Sequence, residues 1–239
     1  MAFSDTKISL VLLPGLDGTD IFFAPLLRHL PDWIAPVVIT YPQDSKNSYA
    51  ELLPLVMQEI SALESFAVLG WSFGGPLALM VAERQPEKVS SVILCGTFVS
   101  SPRRWLAPYK FLLSPPVVAT IRAIRRLRLL IPGYASPEMR KAKAATWRAV
   151  KARALASRAK AALMIDAREL LQACRAGLMY MASSHDEVIS RKHLHEIRTL
   201  VPHIQLAEID GPHLALFTNP AQSADCIVNF MQALNHPTR

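Results

Sequence analysis

The sequence predicts an α/β fold, a mainly parallel sheet of about six strands flanked by helices, with a helical cap insertion. Three observations carry this expectation. Short apolar runs of strand length alternate with amphipathic stretches of helical length, the order expected of βα units. Several runs are nearly continuous in Val, Ile and Leu, as strands covered on both faces should be. Roughly eighty residues separate the fourth run from the fifth, far more than a connection requires.

In order, the predicted strands are Ile8 to Leu13, Pro36 to Tyr41, Phe66 to Leu69, Val89 to Cys95, Gly177 to Ala182 and Ile204 to Ile209. Between and after them, Ile21 to Leu30, Tyr49 to Ser61, Gly74 to Arg84, Ser190 to Leu200 and Pro220 to Leu234 carry apolar residues at helical spacing. The long interval mixes Pro-marked breaks (Pro102, Pro108, Pro115, Pro116, Pro132, Pro137) with stretches rich in Ala, Arg and Lys. That pattern predicts a core of residues 1–99 and 164–239 and a helical insertion of residues 100–163 standing over one end of the sheet.

A chain of 239 residues that is 51% hydrophobic can bury one sizeable core. Its mean hydropathy of +0.22 excludes a disordered polar chain. No apolar run approaches the roughly 18 to 20 residues of a membrane span. Near the start, Asp5 and Lys7 precede a short apolar run that enters Pro14-Gly15, with neither a basic leader nor a small-residue cleavage site. The expectation is a cytoplasmic protein. The three cysteines, Cys95, Cys174 and Cys226, are odd in number, scattered and set among apolar residues, which suits buried thiols in a reducing compartment.

The net charge of +7 is unevenly divided. Between Ser101 and Lys160 there are 15 Lys and Arg and one acid, Glu138, so this segment is +14 while the rest of the chain is −7. Such asymmetry predicts an insertion with its own surface and an acidic or anionic partner.

The sharpest motif is Gly70-Trp71-Ser72-Phe73-Gly74-Gly75, a G-x-S-x-G between a predicted strand and a predicted helix. In that setting the motif reads as a nucleophile elbow: a serine in a tight, strained turn, flanked by small residues and with its hydroxyl presented. Here the chain resembles the α/β-hydrolase family, in the form of a small serine esterase with a helical cap, over nearly its whole length. The run Leu12 to Thr19 (Leu-Leu-Pro-Gly-Leu-Asp-Gly-Thr) follows the first strand where that family carries its oxyanion loop, with Pro14-Gly15 standing where many members begin with His-Gly. By resemblance, the backbone N–H groups of Leu16 and Phe73 form the oxyanion hole. Asp17 is expected to shape this loop, since a carboxylate beside an oxyanion would oppose catalysis.

A serine nucleophile needs a base, normally histidine, oriented by a third group. The family's chain order is Ser, acid, His. Of seven histidines, His213 stands after the last predicted strand in Glu208-Ile209-Asp210-Gly211-Pro212-His213, where the resemblance places the base. Asp186 follows the fifth strand and has Val188 two positions on, which matches the family's acid. Asp166 is the rival, in a stretch (Leu163 to Leu171) of helical character preceding the strand. His193 and His195 are two apart, hence on different sides of a helix, and no H-E-x-x-H is present. No glycine-rich dinucleotide fingerprint or phosphate loop occurs, so neither metal nor cofactor is expected.

These residues imply a carboxylic ester hydrolase: Ser72 as nucleophile, His213 as base, Asp186 as its orienter, with no cofactor and a small-molecule ester as substrate. Trp71 and Phe22 from the core and Trp105 from the insertion are candidate substrate-binding residues, with Tyr109, Phe111 and Trp147 as further apolar surface. An alternative is a thioesterase or methyl esterase acting on an acyl carrier protein, because the Gly-Trp-Ser-x-Gly-Gly elbow is similar to that of carrier-protein methyl esterases. Against it, Tyr41-Pro42-Gln43-Asp44-Ser45 lacks the Asp-x-x-Gly-x-Gly-x-Ser run common in that group. A ligand receptor built on the same fold is the remaining alternative. For the basic insertion, an acidic carrier protein or an anionic membrane surface is the expected partner, and nucleic acid is disfavoured for want of a binding motif.

Overall fold

The computed structural model describes residues 7–44, 47–128 and 135–235, without the side chains of residues 127, 128 and 235. Asp5, Ser45, Pro132 and His236, and the side chain of Arg128, lie outside them.

Six strands, β1 (Ile8–Leu13), β2 (Ile34–Val38), β3 (Phe66–Trp71), β4 (Val89–Cys95), β5 (Gly177–His185) and β6 (Gln205–Pro212), form one sheet in the order β2-β1-β3-β4-β5-β6. Every pair is parallel. Because alternate residues of a strand point to opposite faces, the near-continuous apolar runs feed two cores at once. Val11, Leu13, Val68 and Leu94 enter one cluster. Leu10, Leu12, Leu69 and Ile93 enter the other. Helices α2 (Tyr49–Glu59), α3 (Gly74–Arg84), α7 (Arg168–Ala173) and α8 (Arg191–Leu200) cover the first face; α1 (Ala24–Leu27) and α10 (Pro220–Asn235) cover the second. The short α9 (Ala215–Thr218) follows β6.

Two elements differ from the expected spans for identifiable reasons. The first helical stretch, expected over Ile21 to Leu30, shrinks to Ala24–Leu27. Pro25 stands in its first turn, where its missing N–H costs nothing, and the helix stops before Pro31. The second strand begins at Ile34 and contains Pro36, which a ladder tolerates here because β2 is an edge strand. Beyond Val38 the chain still follows β1, through Ile39 N–H to Leu12 O at 3.0 Å, before Tyr41 turns to the Gly18 carbonyl.

Between β4 and β5 lie a 3-10 helix (Arg104–Leu112), α4 (Pro115–Arg128), α5 (Pro137–Ala149), α6 (Ala152–Met164) and α7. Two of the basic residues of the insertion, expected at its surface, are structural. Arg122, half-buried, donates to the carbonyls of Trp147 and Val150 at the end of α5, so it does not share a solvated face with Arg125 and Arg126. Arg158 on α6 is fully buried.

Candidate active site

The sheet order reverses direction at β1, so the chain leaves β1 and β3 on opposite sides and opens a crevice at their carboxyl ends, where ligands bind in open α/β sheets. Pro14-Gly15-Leu16 leaves β1 there and Ser72 leaves β3; Leu13 and Gly70 are register partners. Asp186 is the residue after β5, and His213 the residue after β6. Both strands run a few residues beyond their expected ends, and this brings Asp186 and His213 to the same edge.

Ser72 has φ 53°, a left-handed conformation that is uncommon for a residue other than glycine. Strain of this kind persists only when the surroundings over-determine it. Ser72 N–H donates to Cys95 O at 2.9 Å, and its carbonyl accepts from Gly75 N–H at 3.2 Å and from the Thr97 hydroxyl. Gly75 allows this closeness, for a Cβ on it would lie 2.6 Å from Thr97 Cγ2 and 2.7 Å from Thr97 Cβ. Thr97 is fully buried and cannot retreat. Gly75→Ala is therefore expected to destabilise the fold by about 1–3 kcal/mol through overpacking. Its urea midpoint should fall, and any activity with it; a midpoint equal to the parent's would show that Thr97 yields.

Ser72 Oγ is 2.9 Å from His213 Nε2, and His213 Nδ1 is 2.7 Å from Asp186 Oδ2. The other carboxylate oxygen, Oδ1, accepts from Val188 and Ile189 N–H, both at 2.8 Å. Burial works to raise the Asp186 pKa, but the hydrogen bond and charge of His213 and the two backbone donors outweigh it, so the carboxyl sits below its ordinary value. Asp186 is thus held ionised beside His213. Trp71 fixes the loop from below: its Nε1–H donates to His213 O at 3.2 Å, and the two rings lie 5.6 Å apart.

The N–H groups of Leu16 and Phe73 find no acceptor among the described residues. Phe73 caps α3, whose first N–H groups point out of the helix by construction. Two tyrosines brace the peptides adjoining those that carry these donors. Tyr41 Oη donates to Pro14 O at 3.2 Å, and Tyr49 Oη donates to Phe73 O at 3.0 Å while its ring stacks on Phe73 at 4.5 Å.

The loop after β1 is tied to the inserted helices by Arg158. Its guanidinium donates to Leu16 O (3.0 Å), Asp17 O (2.6 Å), Pro42 O (2.6 Å) and Asn47 Oδ1 (3.1 Å), and lies 5.4 Å from the Tyr41 ring centre. Burial lowers its pKa to about 10, with Tyr41 and Asp17 opposing, so it remains a cation at neutral pH. Gly18, at φ +66°, lies against it: a Cβ there would be 2.6 Å from Arg158 Nη1. Asp17 turns its carboxylate to Thr19 N–H and hydroxyl, inside its own loop, and burial above all raises its pKa.

Some expected residues lie elsewhere. Asp166 is not helical: it sits in an extended link between α6 and α7, bridged to Ser100, and its carboxylate binds Arg168. Phe22 is buried edge-on to Trp71 and Phe217, a packing position behind the site. Trp105 is 67% exposed on the 3-10 helix. His193 is buried on α8 against Phe98, and His195 is exposed on another side of that helix. A cavity of about 560 Å³ between the 3-10 helix and the α6–α7 link is lined by Ser101, Arg104, Lys110, Met164 and Arg168 among others, and by none of Ser72, Asp186 and His213. Arg158, Thr97, Tyr41 and Tyr49 are the site residues that sequence reasoning missed. No local motif marks any of them, for each acts on a backbone carbonyl brought near only by the fold.

A family model described as alpha/beta hydrolase fold matches residues 33–136. No curated protein matches the sequence. Among solved structures, the chain is similar to a carboxylesterase from Nitrososphaera gargenis (TM-score 0.81, 14% identity, 99% of this chain and 94% of that one). It is also similar to MenH from S. aureus (0.79, 15%, 98% and 97%) and to the enol-lactonase from Burkholderia xenovorans LB400 (0.78, 16%, 95% and 92%). With the parallel six-stranded sheet and its strand order, these matches identify the chain as an alpha/beta hydrolase in fold.

Proposed function

We propose that the protein is a serine hydrolase that cleaves carboxylic esters through an acyl-enzyme. The observation that carries this reading is the continuous hydrogen-bonded line from Ser72 Oγ through His213 to Asp186, at the carboxyl ends of β3, β6 and β5. Ser72 Oγ attacks the ester carbonyl and passes its proton to His213 Nε2; Asp186 holds Nδ1–H and stabilises the imidazolium that forms. Charge developing on the former carbonyl oxygen is met by the N–H groups of Leu16 and Phe73, which are preorganised and need no reorientation. The imidazolium then protonates the leaving alcohol, and a water activated by His213 releases the acid.

The similarity to a carboxylesterase and an enol-lactonase supports this reaction class. The test is a panel of p-nitrophenyl esters of graded acyl length, run together with a fluorophosphonate probe. Turnover of at least one ester and labelling at Ser72 are expected, and Ser72→Ala should abolish both while retaining the parent's circular dichroism. Labelling of a different serine, or a Ser72→Ala protein with parental turnover, would remove the assignment.

A further inference from the structure

The large apolar side chains exposed on this molecule are concentrated. Of the thirteen among the described residues, seven fall between Trp105 and Ile124, on two adjoining elements of the insertion. On the 3-10 helix, Trp105 and Phe111 stand six residues apart, two turns at three residues per turn, and so share a face. They are 67% and 68% exposed. On α4, Val117, Ile121 and Ile124 recur at the i, i+4, i+7 spacing of an apolar stripe. Such a stripe normally faces a core, yet here all three are exposed, while Val118 and Arg122 of the same helix turn inward. The two elements are joined by Leu113 and Ser114, and both pack on α6.

Cations outnumber acids around these side chains; Asp166, beside Arg104, is itself bound by Arg168. Arg103, Arg104, Lys110, Arg125 and Arg126 are exposed on or beside the same two elements, and no Asp or Glu occurs from Ser101 to Pro137. Aromatic and aliphatic side chains projecting among Lys and Arg are the composition of an interfacial segment: the apolar groups enter the headgroup and acyl boundary while the cations meet anionic headgroups. An acidic protein would satisfy the charges, but side chains that project this far need matching pockets in a folded partner. A lipid layer receives them without any.

We infer that the 3-10 helix Arg104–Leu112 and α4 form a face that docks on an anionic lipid surface. Docking is peripheral, since no described helix is long and apolar enough to cross a membrane. It is independent of the ester-hydrolase reading, because binding is measured without turnover.

The experiment is co-sedimentation of the full chain with vesicles of phosphatidylcholine alone and of phosphatidylcholine with phosphatidylglycerol. Binding should require phosphatidylglycerol and should weaken with added salt as the screening length shortens. Lys110→Gln with Arg125→Gln should lower partitioning about thirtyfold, roughly fivefold for each cation removed. Ile121→Ser with Ile124→Ser should abolish binding while leaving the thermal midpoint and the hydrolysis of a soluble short-chain ester unchanged, since both side chains already face water. The inference is overturned if the parent ignores phosphatidylglycerol vesicles at low salt, binds neutral vesicles equally, or binds undiminished after the two isoleucine changes. Retention on an immobilised acidic acyl carrier protein, without vesicle binding, would also overturn it and give the face to a protein partner.

Discussion

Replacing Asp186 by Asn is expected to lower kcat/KM for any turned-over ester about ten-thousandfold, with little change in KM. The reason lies in how the carboxylate is held. Oδ1 accepts from the N–H groups of Val188 and Ile189, and an amide must offer its oxygen to those two donors. Its NH2 group is then turned towards His213 Nδ1, where the carboxylate oxygen now accepts. Facing a donor, Nδ1 must become the acceptor, so the ring proton moves to Nε2 and the nitrogen that should receive the Ser72 proton is blocked. Charge is lost as well: the amide cannot stabilise the imidazolium. The drop corresponds to about 5 kcal/mol of transition-state stabilisation.

The matching control is Asp166→Asn. That carboxylate is exposed and engaged by Arg168 on its own link, so activity should stay near the parent's. If Asp166→Asn were the inactive protein and Asp186→Asn the active one, the assignment of the acid would be wrong. Stability follows the same group with a definite sign. Because folding lowers the Asp186 pKa, its contribution is present above the ordinary carboxylate range and disappears as pH falls through the folded value. The Asn variant should lose that acid-side dependence, read as a smaller change in urea midpoint on acidification.

What the sequence made legible was local. Uniformly apolar runs such as Leu10 to Leu13 announce strands buried on both faces, and six runs in alternation with helices leave little choice but a parallel sheet. A serine between glycines at a strand-to-helix junction announces a turn that ordinary residues avoid, and Ser72 adopts it. Asp186 and His213 are singled out because each follows a predicted strand at a place where the resembled family carries its acid and its base, and a strand end is readable within a few residues. The missed residues share a different property: Arg158 is 142 positions from Leu16 and 116 from Pro42, yet meets both. In sequence it is one cation among fifteen in the insertion. Only the fold reveals that this one turns fully inward, with its guanidinium hydrogen-bonded throughout. The shortened α1 and the shifted β2 arise where proline decides an element's start, a boundary effect that apolar periodicity does not register.

Arg158 gives the second large effect. Arg158→Met should strongly destabilise the protein, since each buried neutral acceptor left without a donor costs about 1–3 kcal/mol, and a fold with about 5–15 kcal/mol in hand can fail outright. The carbonyls of Leu16, Asp17 and Pro42 and the Asn47 side chain would all lose a donor. Arg158→Lys is the informative variant. An ammonium keeps the charge but cannot span acceptors that a planar fork reaches at once, so the protein should fold with a lower urea midpoint while the loop bearing the Leu16 N–H loosens. Loss of an oxyanion donor costs about 10²–10³ in kcat; a displaced one should cost a substantial part of that, with KM for a small soluble ester little changed. A fall in kcat with constant KM would separate loop positioning from general damage. Should Arg158→Lys fold and turn over like the parent, the turn from Gly15 O to Gly18 N–H and the Asp17–Thr19 bonds would suffice to hold the loop, and the guanidinium would serve only to seat α6 on the core.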